Sequence, residues 1–312
     1  MTRALVFPGQ GSQFVGMGKA MAEAHAAARL VFEEVDDALS QSLSRIMWEG
    51  SEEDLRLTEN TQPALMAVSM AVIRTLEAGG VQVSDIASHV AGHSLGEYSA
   101  LAAAGAFTVA DTARLLKLRG QAMQRAVPVG EGAMAAILGL SLDDVKAVSE
   151  EAAQGEVVVA ANDNADGQVV ISGNKAAVER AIDIAKDKGA KRGVLLPVSA
   201  PFHCPLMQPA ADEMKAALAD VDILRPCVPV IANVLAAPVS EPEGIANLLV
   251  AQVTGAVRWR ESVGCMASLG INEVVEVGAG KVLTGLVRRI DRSLAFTNIQ
   301  EPADIDAFVS SL

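Results

Sequence analysis

Ser94 stands between two glycines in the stretch Gly92-His93-Ser94-Leu95-Gly96, and this stretch could support nucleophilic chemistry. In G-x-S-x-G a strand turns sharply into a helix, so that the serine hydroxyl is held clear of the backbone. Residues 88–91 are predicted to form a short buried strand, and residues 95–105 have an alanine-rich helical pattern. N–H groups at the start of that helix would favour negative charge beside the serine. This context favours a nucleophile over a chance match.

A serine hydroxyl is a weak nucleophile and needs a neighbouring base, for which the chain offers four histidines. His25 lies in a predicted surface helix, and His89 lies in the strand before the turn. His93 adjoins Ser94, but neighbouring side chains at a tight turn point apart, so we expect it to support the turn by hydrogen bonding. His203 lies in a loop bounded by prolines after a strand, where catalytic groups often sit. His203 is therefore the preferred base.

The third member of a catalytic triad is not identified by the residues. In hydrolase order it would be an acid between Ser94 and His203. The candidates, none with a motif around it, are Asp111, Asp163 and Asp166. A carbonyl oxygen could orient the imidazole instead, because orientation needs only an acceptor for the other ring nitrogen.

A basic side chain beside Ser94 could hold the carboxylate of a substrate. Arginine does this best, through two parallel N–H···O bonds. Four candidates lie on the helix that follows the serine helix, namely Arg114, Lys117, Arg119 and Arg125. A solvent-facing position is the default for each, and composition does not choose among them.

Charge and cysteine content restrict the class of protein. The formal charge is −13, which disfavours a nucleic-acid partner because phosphate contacts need a basic face. The three scattered cysteines have neither disulfide nor metal-ligand spacing, so we expect a reducing compartment and no metal. The N-terminal stretch lacks the pattern of a signal peptide, and no apolar run reaches membrane-spanning length. We therefore expect a cytoplasmic protein with no membrane partner.

A glycine-rich loop at residues 8–13 follows the predicted first strand at residues 4–7. It resembles a nucleotide-binding loop, but Phe14 stands where a dinucleotide fingerprint needs its third glycine, and Ala20 follows Gly18-Lys19 where a Walker loop needs Ser or Thr. Because α/β proteins bind ligands at the carboxyl ends of strands, we expect the backbone of this loop to approach a ligand. An ordinary turn is the alternative.

The order of the predicted elements indicates an α/β fold with an inserted domain. Within the 312 residues, aromatic side chains make up only 3%, which suits small side chains at helix–sheet contacts. Residues 20–80 are predicted to be mostly helical, with Pro63 near the first turn of one helix. Residues 130–198 have the order β-α-β-β-α-β, the split pattern of ferredoxin-like domains, with a capping-type helix start at Ser141 and the second strand at residues 156–160. We therefore predict a large domain from residues 1–127 and 199–312 and a small insert at residues 128–198.

An ordered set of short motifs, spread from residue 3 to about residue 300, resembles the malonyl-CoA:acyl-carrier-protein transacylases. No single piece is specific, but the set is. Its members are Phe7-Pro8-Gly9-Gln10-Gly11-Ser12-Gln13, Gly92-His93-Ser94-Leu95-Gly96-Glu97, Arg119-Gly120, Asn162-Asp163-Asn164, Pro201-Phe202-His203 and Gln252. The resemblance implies an α/β-hydrolase-like large domain with a ferredoxin-like insert, malonyl-CoA and acyl carrier protein as partners, and no cofactor.

The resemblance also implies roles for particular residues. Ser94 would become malonylated, and His203 would be its base, oriented by a carbonyl near Gln252 rather than by an acid. A ping-pong reaction that supplies fatty-acid synthesis would follow. The remaining implied roles are an oxyanion hole from the backbone N–H groups of Gln10 and Leu95, a carboxylate contact from Arg119, and acyl-pocket positions at His93 and Asn162.

A carrier-protein partner raises an electrostatic difficulty, because carrier proteins and this chain are both acidic. Docking would need a local basic patch. The candidates, each of which could instead be a solvated helix face, are Lys188, Lys191, Arg192, Lys281, Arg288, Arg289 and Arg292. Two other classes remain open: a serine hydrolase such as a thioesterase, and a carrier-binding module without catalysis.

Overall fold

Two β-sheets organise the chain in a computed structural model that describes residues 2–198 and 200–312. The larger has six strands in the order β10-β9-β1-β2-β7-β8, and every neighbouring pair is parallel except β7 and β8. Its strands are β1 Arg3–Phe7, β2 His89–Gly92, β7 Val230–Ala232, β8 Ala237–Val239, β9 Glu273–Val277 and β10 Ala295–Ile299.

The second sheet has four antiparallel strands in the order β4-β5-β3-β6. Its strands are β3 Gly132–Leu138, β4 Val158–Ala165, β5 Gln168–Asn174 and β6 Arg192–Leu195. The predicted β-α-β-β-α-β order is confirmed, although the strand predicted from residue 156 begins two residues later. The capping-type helix start predicted at Ser141 is also confirmed, because Ser141 and Asp144 form a capping box.

Fifteen α-helices surround the sheets within the described part of the chain. They are α1 Lys19–Ala24, α2 Ala26–Leu39, α3 Leu43–Glu49, α4 Glu52–Arg56, α5 Thr58–Ala78, α6 Val83–Ile86, α7 Leu95–Ala103, α8 Val109–Ala126, α9 Leu142–Ala153, α10 Lys175–Asp187, α11 Gln208–Ala219, α12 Pro242–Thr254, α13 Trp259–Ser268, α14 Val282–Ile290 and α15 Pro302–Val309. No helix in this part of the chain is both long and apolar enough to cross a membrane.

The central strands of the six-stranded sheet are buried on both faces, as expected for parallel strands covered by helices. Along β1, Leu5 and Phe7 belong to one core cluster, which includes side chains of α2, α5, α7 and α8. Ala4 and Val6 belong to the opposite cluster, which includes side chains of α13 and α14. The alternation of side chains along β1 therefore builds a three-layer α/β unit.

Two helix predictions were wrong in detail. Pro63 lies inside α5 and not in its first turn, since the helix begins at Thr58. A proline there removes one backbone N–H from the helix, most of whose residues are buried. His25 was predicted inside one helix, but its extended backbone separates α1 from α2.

The four-stranded sheet contacts the larger unit through its edge strand β4. The N–H of Asp163 donates to Val257 O at 2.9 Å, and the N–H of Val257 donates to Ala161 O at 2.9 Å. The carboxylate of Asp163 also pairs with Arg260 at 2.8 Å. This contact brings the neighbouring residues of β4 to the carboxyl end of β2.

Candidate active site

Ser94 lies at the turn between β2 and α7, with φ at 53°. A left-handed φ is costly for a non-glycine residue and persists only when its surroundings impose it. Here a Cβ on Gly92 would overlap the carbonyl of Gly96, and a Cβ on Gly96 would overlap Phe7 O. Both glycines are thus required for the backbone to close the turn. The sharp strand-to-helix turn predicted from G-x-S-x-G is confirmed.

His203 lies against Ser94. Its Nε2 is 2.8 Å from Ser94 Oγ, and its Nδ1 is 2.9 Å from the backbone oxygen of Gln252. A carbonyl oxygen only accepts, so Nδ1 carries the proton and Nε2 accepts from the Ser94 hydroxyl. His203 also has a left-handed backbone, with φ at 58°. The geometry is that of a serine–histidine pair oriented by a main-chain carbonyl.

None of the three acids considered from the sequence contacts His203 within the described residues. Asp111 accepts from the Thr108 hydroxyl at the start of α8, and Asp163 is engaged by Arg260. Asp166 lies exposed in the turn between β4 and β5. The imidazole therefore takes its orientation from Gln252 O.

Burial and a nearby cation set the charge of His203. Desolvation, followed by the positive charge of Arg119, lowers its pKa to about 3. The imidazole is thus neutral throughout the physiological pH range and available as a proton acceptor.

Arg119 is the basic side chain of α8 that contacts Ser94. It is 1% exposed, and its Nη2 donates to Ser94 Oγ at 3.1 Å and to Gln252 Oε1 at 2.9 Å. Its Nη1 donates to Gln62 Oε1 at 2.7 Å. The other three basic residues point elsewhere: Arg114 and Arg125 form exposed ion pairs, and Lys117 pairs with Glu59.

A cavity of about 260 Å³ opens onto these groups. Of the residues to which the sequence analysis gave a role, those that line it are Gln10, His93, Ser94, Leu95, Arg119, Asn162 and His203. Gln252 lies behind the lining and contacts Arg119 and His203. Within residues 2–198 and 200–312, the backbone N–H groups of Gln10 and Leu95 donate no hydrogen bond, so both remain available to a ligand.

His93 turns away from Ser94, as expected for its neighbour at a tight turn. Its Nε2 lies 2.8 Å from Asn164 Oδ1 on β4. The ring therefore connects the serine turn to the four-stranded sheet.

Sequence reasoning missed the buried polar residues that hold the site. Glu97 Oε2 accepts from Gln252 Nε2 and from Asn233 N, each at 2.9 Å. Asn233 in turn accepts from Ser94 N at 2.8 Å and donates to Gly92 O at 2.7 Å. Burial raises the pKa of Glu97 to about 7. A carboxylate inside an apolar helix directly after the serine turn was the available signal for Glu97, whereas Asn233 and Gln62 have none.

Comparison with known proteins assigns this arrangement to a class. The family model for the acyl transferase domain matches residues 4–302. A malonyl CoA-acyl carrier protein transacylase of Bacillus subtilis is 44% identical over 310 residues, which is 99% of this chain and 96% of the relative. The protein is therefore an acyltransferase.

Two solved structures of high similarity support the same assignment. An acyl-carrier-protein-S-malonyltransferase from Bartonella henselae matches with a TM-score of 0.98 and 56% identity, over 100% of this chain and 99% of that one. A malonyl-transacylase solved in complex with its type II PKS acyl-carrier protein matches with a TM-score of 0.97 and 42% identity, over 100% of each chain. The chain belongs to the family of malonyl CoA-acyl carrier protein transacylases.

Proposed function

We propose that this enzyme moves a malonyl group from malonyl-CoA to the phosphopantetheine thiol of an acyl carrier protein, through a malonyl ester of Ser94. One observation above all supports this: Ser94 Oγ contacts both a neutral imidazole, His203, and a buried guanidinium, Arg119. The first group can take the hydroxyl proton, and the second can pair with the free carboxylate of a malonyl group.

In the first half-reaction Ser94 Oγ attacks the thioester carbonyl carbon while His203 Nε2 takes the hydroxyl proton. The C–S bond of the tetrahedral intermediate then breaks, and the CoA thiolate takes the proton from His203. The Nδ1–H bond to Gln252 O stabilises the imidazolium that forms between these steps. Malonyl-serine and free CoA are the products.

The oxyanion of the intermediate would accept from the backbone N–H groups of Gln10 and Leu95. Both residues line the cavity, and Leu95 begins α7, whose N-terminus favours negative charge. Losing one such donor typically costs about 10²–10³ in rate.

The second half-reaction reverses the first with another thiol. The pantetheine sulfur of the carrier protein gives its proton to His203 and attacks the ester carbonyl, and Ser94 leaves with the proton. Two half-reactions through one covalent intermediate give ping-pong kinetics. Fatty-acid synthesis is the process we expect to use the product, and a reducing cytoplasm is the expected compartment.

We also propose that the two sheets belong to two domains, on the basis of their strand orders. The six-stranded sheet with its helices would be the α/β-hydrolase-like domain, residues 1–127 and 199–312. The four-stranded sheet has the strand order of a ferredoxin-like fold and would be the insert, residues 128–198. The cavity lining draws on both, because Asn162 and Met134 belong to the smaller sheet.

Incubation with malonyl-CoA followed by intact-mass measurement tests the proposal. We expect one malonyl group on Ser94, no adduct on Ser94→Ala, and release of the adduct to an added carrier protein. Rapid CoA release without an adduct would instead indicate a hydrolase, and no reaction at all would indicate a binding module.

Arg119→Ala tests the carboxylate contact within the same assay. Malonyl loading should fall about 30-fold or more, because truncating one member of a buried charge pair costs ~2 kcal/mol or more. Loading from acetyl-CoA, which has no carboxylate, should be spared or rise. An equal fall with both substrates would exclude Arg119 as the carboxylate-binding residue.

A further inference from the structure

Among the described residues, Arg119 donates hydrogen bonds to three acceptors, all of them uncharged. They are Gln62 Oε1, Gln252 Oε1 and Ser94 Oγ. Burial lowers the pKa of this arginine, and a buried cation normally pairs with a carboxylate that compensates for its desolvation. Within residues 2–198 and 200–312, however, no carboxylate forms an ion pair with Arg119. The site thus keeps a positive charge beside Ser94 that no carboxylate of the described residues contacts directly.

The nearest buried carboxylate is kept from Arg119 by an amide. Gln252 donates through Nε2 to Glu97 Oε2 at 2.9 Å and accepts through Oε1 from Arg119. Its carboxamide therefore stands between the carboxylate and the guanidinium. A second carboxamide, that of Gln62, accepts a hydrogen bond from Nη1 of the same guanidinium.

The orientation of the Gln62 carboxamide is fixed at both ends. Arg119 only donates, so it must face Gln62 Oε1. The Gln62 Nε2 group then faces Thr58 Oγ1, to which it donates at 3.0 Å. The Thr58 hydroxyl in turn donates a hydrogen bond to Gln10 Oε1 at 3.1 Å. Thr58 and Gln62 are four residues apart on α5 and each is 1% exposed, so solvent does not compete for these bonds.

We propose that Gln62, oriented by Thr58, is a specificity-determining residue: it gives Arg119 a neutral partner and thereby reserves the guanidinium charge for the carboxylate of the acyl group. The inference rests on the proposed function. Gln62 lines the cavity, so an acidic side chain at this position would meet the same guanidinium as the substrate. Its charge would pair with Arg119 and repel a second carboxylate.

Gln62→Glu tests this with nearly unchanged shape, and Gln62→Met serves as the matched neutral variant. Single-turnover loading of Ser94 is followed by intact mass with malonyl-CoA and with acetyl-CoA. For Gln62→Glu we expect malonyl loading to fall about 100-fold while acetyl loading changes less than about 3-fold. For Gln62→Met the fall in malonyl loading should be about 10-fold, because one neutral acceptor is lost and no negative charge is added.

Thr58→Val and Thr58→Ser provide an independent pair in case the Gln62 variants fold poorly. Valine keeps the shape but removes the hydroxyl, so the ratio of malonyl to acetyl loading should fall about 5-fold or more, and serine should restore it. A malonyl-to-acetyl ratio that stays at the wild-type value in both Gln62→Glu and Thr58→Val would overturn the proposal. Wild-type protein that forms no malonyl adduct would instead refute the proposed function, so the two failures are distinguishable.

Discussion

The side chains around Ser94 form one hydrogen-bonded network in which each group restricts its neighbour. Gln252 connects several of these groups: its main-chain oxygen orients His203, its Oε1 accepts from Arg119, and its Nε2 donates to Ser94 O at 3.0 Å and to Glu97 Oε2 at 2.9 Å. One residue thereby sets the tautomer of the imidazole through its main chain and the position of the guanidinium through its side chain. Satisfied hydrogen bonds make a buried network rigid, and Arg119 takes part through Nη1 and Nη2, whereas its Nε has no partner within the described residues.

Glu97 holds the Gln252 carboxamide, and its unusual pKa gives a measurable signature. The folded-state pKa is raised from the ordinary 4.5 to about 7 by burial. The unfolded chain therefore releases this proton at a lower pH than the folded chain does. The stability that the protonated carboxyl provides is full below about pH 4.5 and is lost progressively as the pH rises to about 7, by up to ~3 kcal/mol.

Glu97→Gln should remove this loss. Both donors to Glu97 contact the same oxygen, so the amide oxygen of glutamine can accept from both. The free energy of unfolding of the variant minus that of the wild type should rise by up to ~3 kcal/mol between about pH 4.5 and pH 7 and then stay constant. Urea titrations at several pH values measure it, and the low pKa of His203 affects both proteins equally.

Glu59→Gln is the control of opposite sign. Lys117 and Gln121 lower the pKa of Glu59 through hydrogen bonds, so its contribution to stability is present above the unfolded-state pKa and is lost as the pH falls. This variant should lose stability relative to the wild type as the pH rises. A pH-independent difference for Glu97→Gln would show that its carboxyl does not titrate in this range.

At the scale of elements, the sequence predicted the parts of the fold whose signals are local. Glycines 92 and 96 predicted the serine turn, and Ser141 predicted the start of α9, because a turn or a cap depends on a few adjacent residues. Strands β8 and β10 and helix α15 were not predicted. β8 has three residues, one of them a proline, and it becomes a strand only by pairing with β7.

The site, like the fold, was predictable only where the signal lies in adjacent residues. Ser94 and His203 follow from residue chemistry, but the choice of Arg119 among four basic residues came from family resemblance. The contact that makes the choice lies between distant segments: α8 meets the start of α5, and Gln62 on α5 accepts from Arg119. Hydrophobic periodicity along either helix does not indicate which residues of the two helices meet.

Gly120 allows α8 to approach α5 closely, and replacing it should disturb the site by moving the two helices apart. A Cβ at this position would lie 2.7 Å from Thr58 O and equally close to Glu59 N, both of them backbone atoms. Gly120→Ala should therefore push α8 away from α5, cost ~1–3 kcal/mol of stability and reduce malonyl loading more than acetyl loading. Denaturant titration and the loading assay measure the two effects.

Gly264→Ala is the matched control, since this glycine lies within α13 and a Cβ there would meet no atom within 4 Å. Alanine in an open helical position should stabilise the protein by up to ~1 kcal/mol and leave loading unchanged. If Gly120→Ala behaved in the same way, close packing of α8 on α5 would not be what positions Arg119.

At the scale of the whole molecule, the cavity lies where the two sheets approach each other. Side-chain contacts between His93 and Asn164 and between Asp163 and Arg260 hold them together there, beside the backbone hydrogen bonds between β4 and Val257. Further along the same boundary, Arg289 on α14 donates to Gln168 on β5 at 2.6 Å. A basic cleft beside that contact is lined by Arg288, Arg289, Arg292, Gly285 and Phe296.

We expect this cleft to receive the acidic carrier protein, because it concentrates positive charge on a chain whose net charge is −13. Replacing both Arg288 and Arg289 with Glu should lower kcat/KM for the carrier protein about 10-fold at low salt, less at high salt, and leave loading from malonyl-CoA unchanged. Gln168→Ala separates loss of the Arg289 contact from loss of charge. The same reversal at Arg29 and Arg45, exposed on α2 and α3, should leave carrier kinetics unaltered. Equal effects of the two double reversals would mean that only net charge matters.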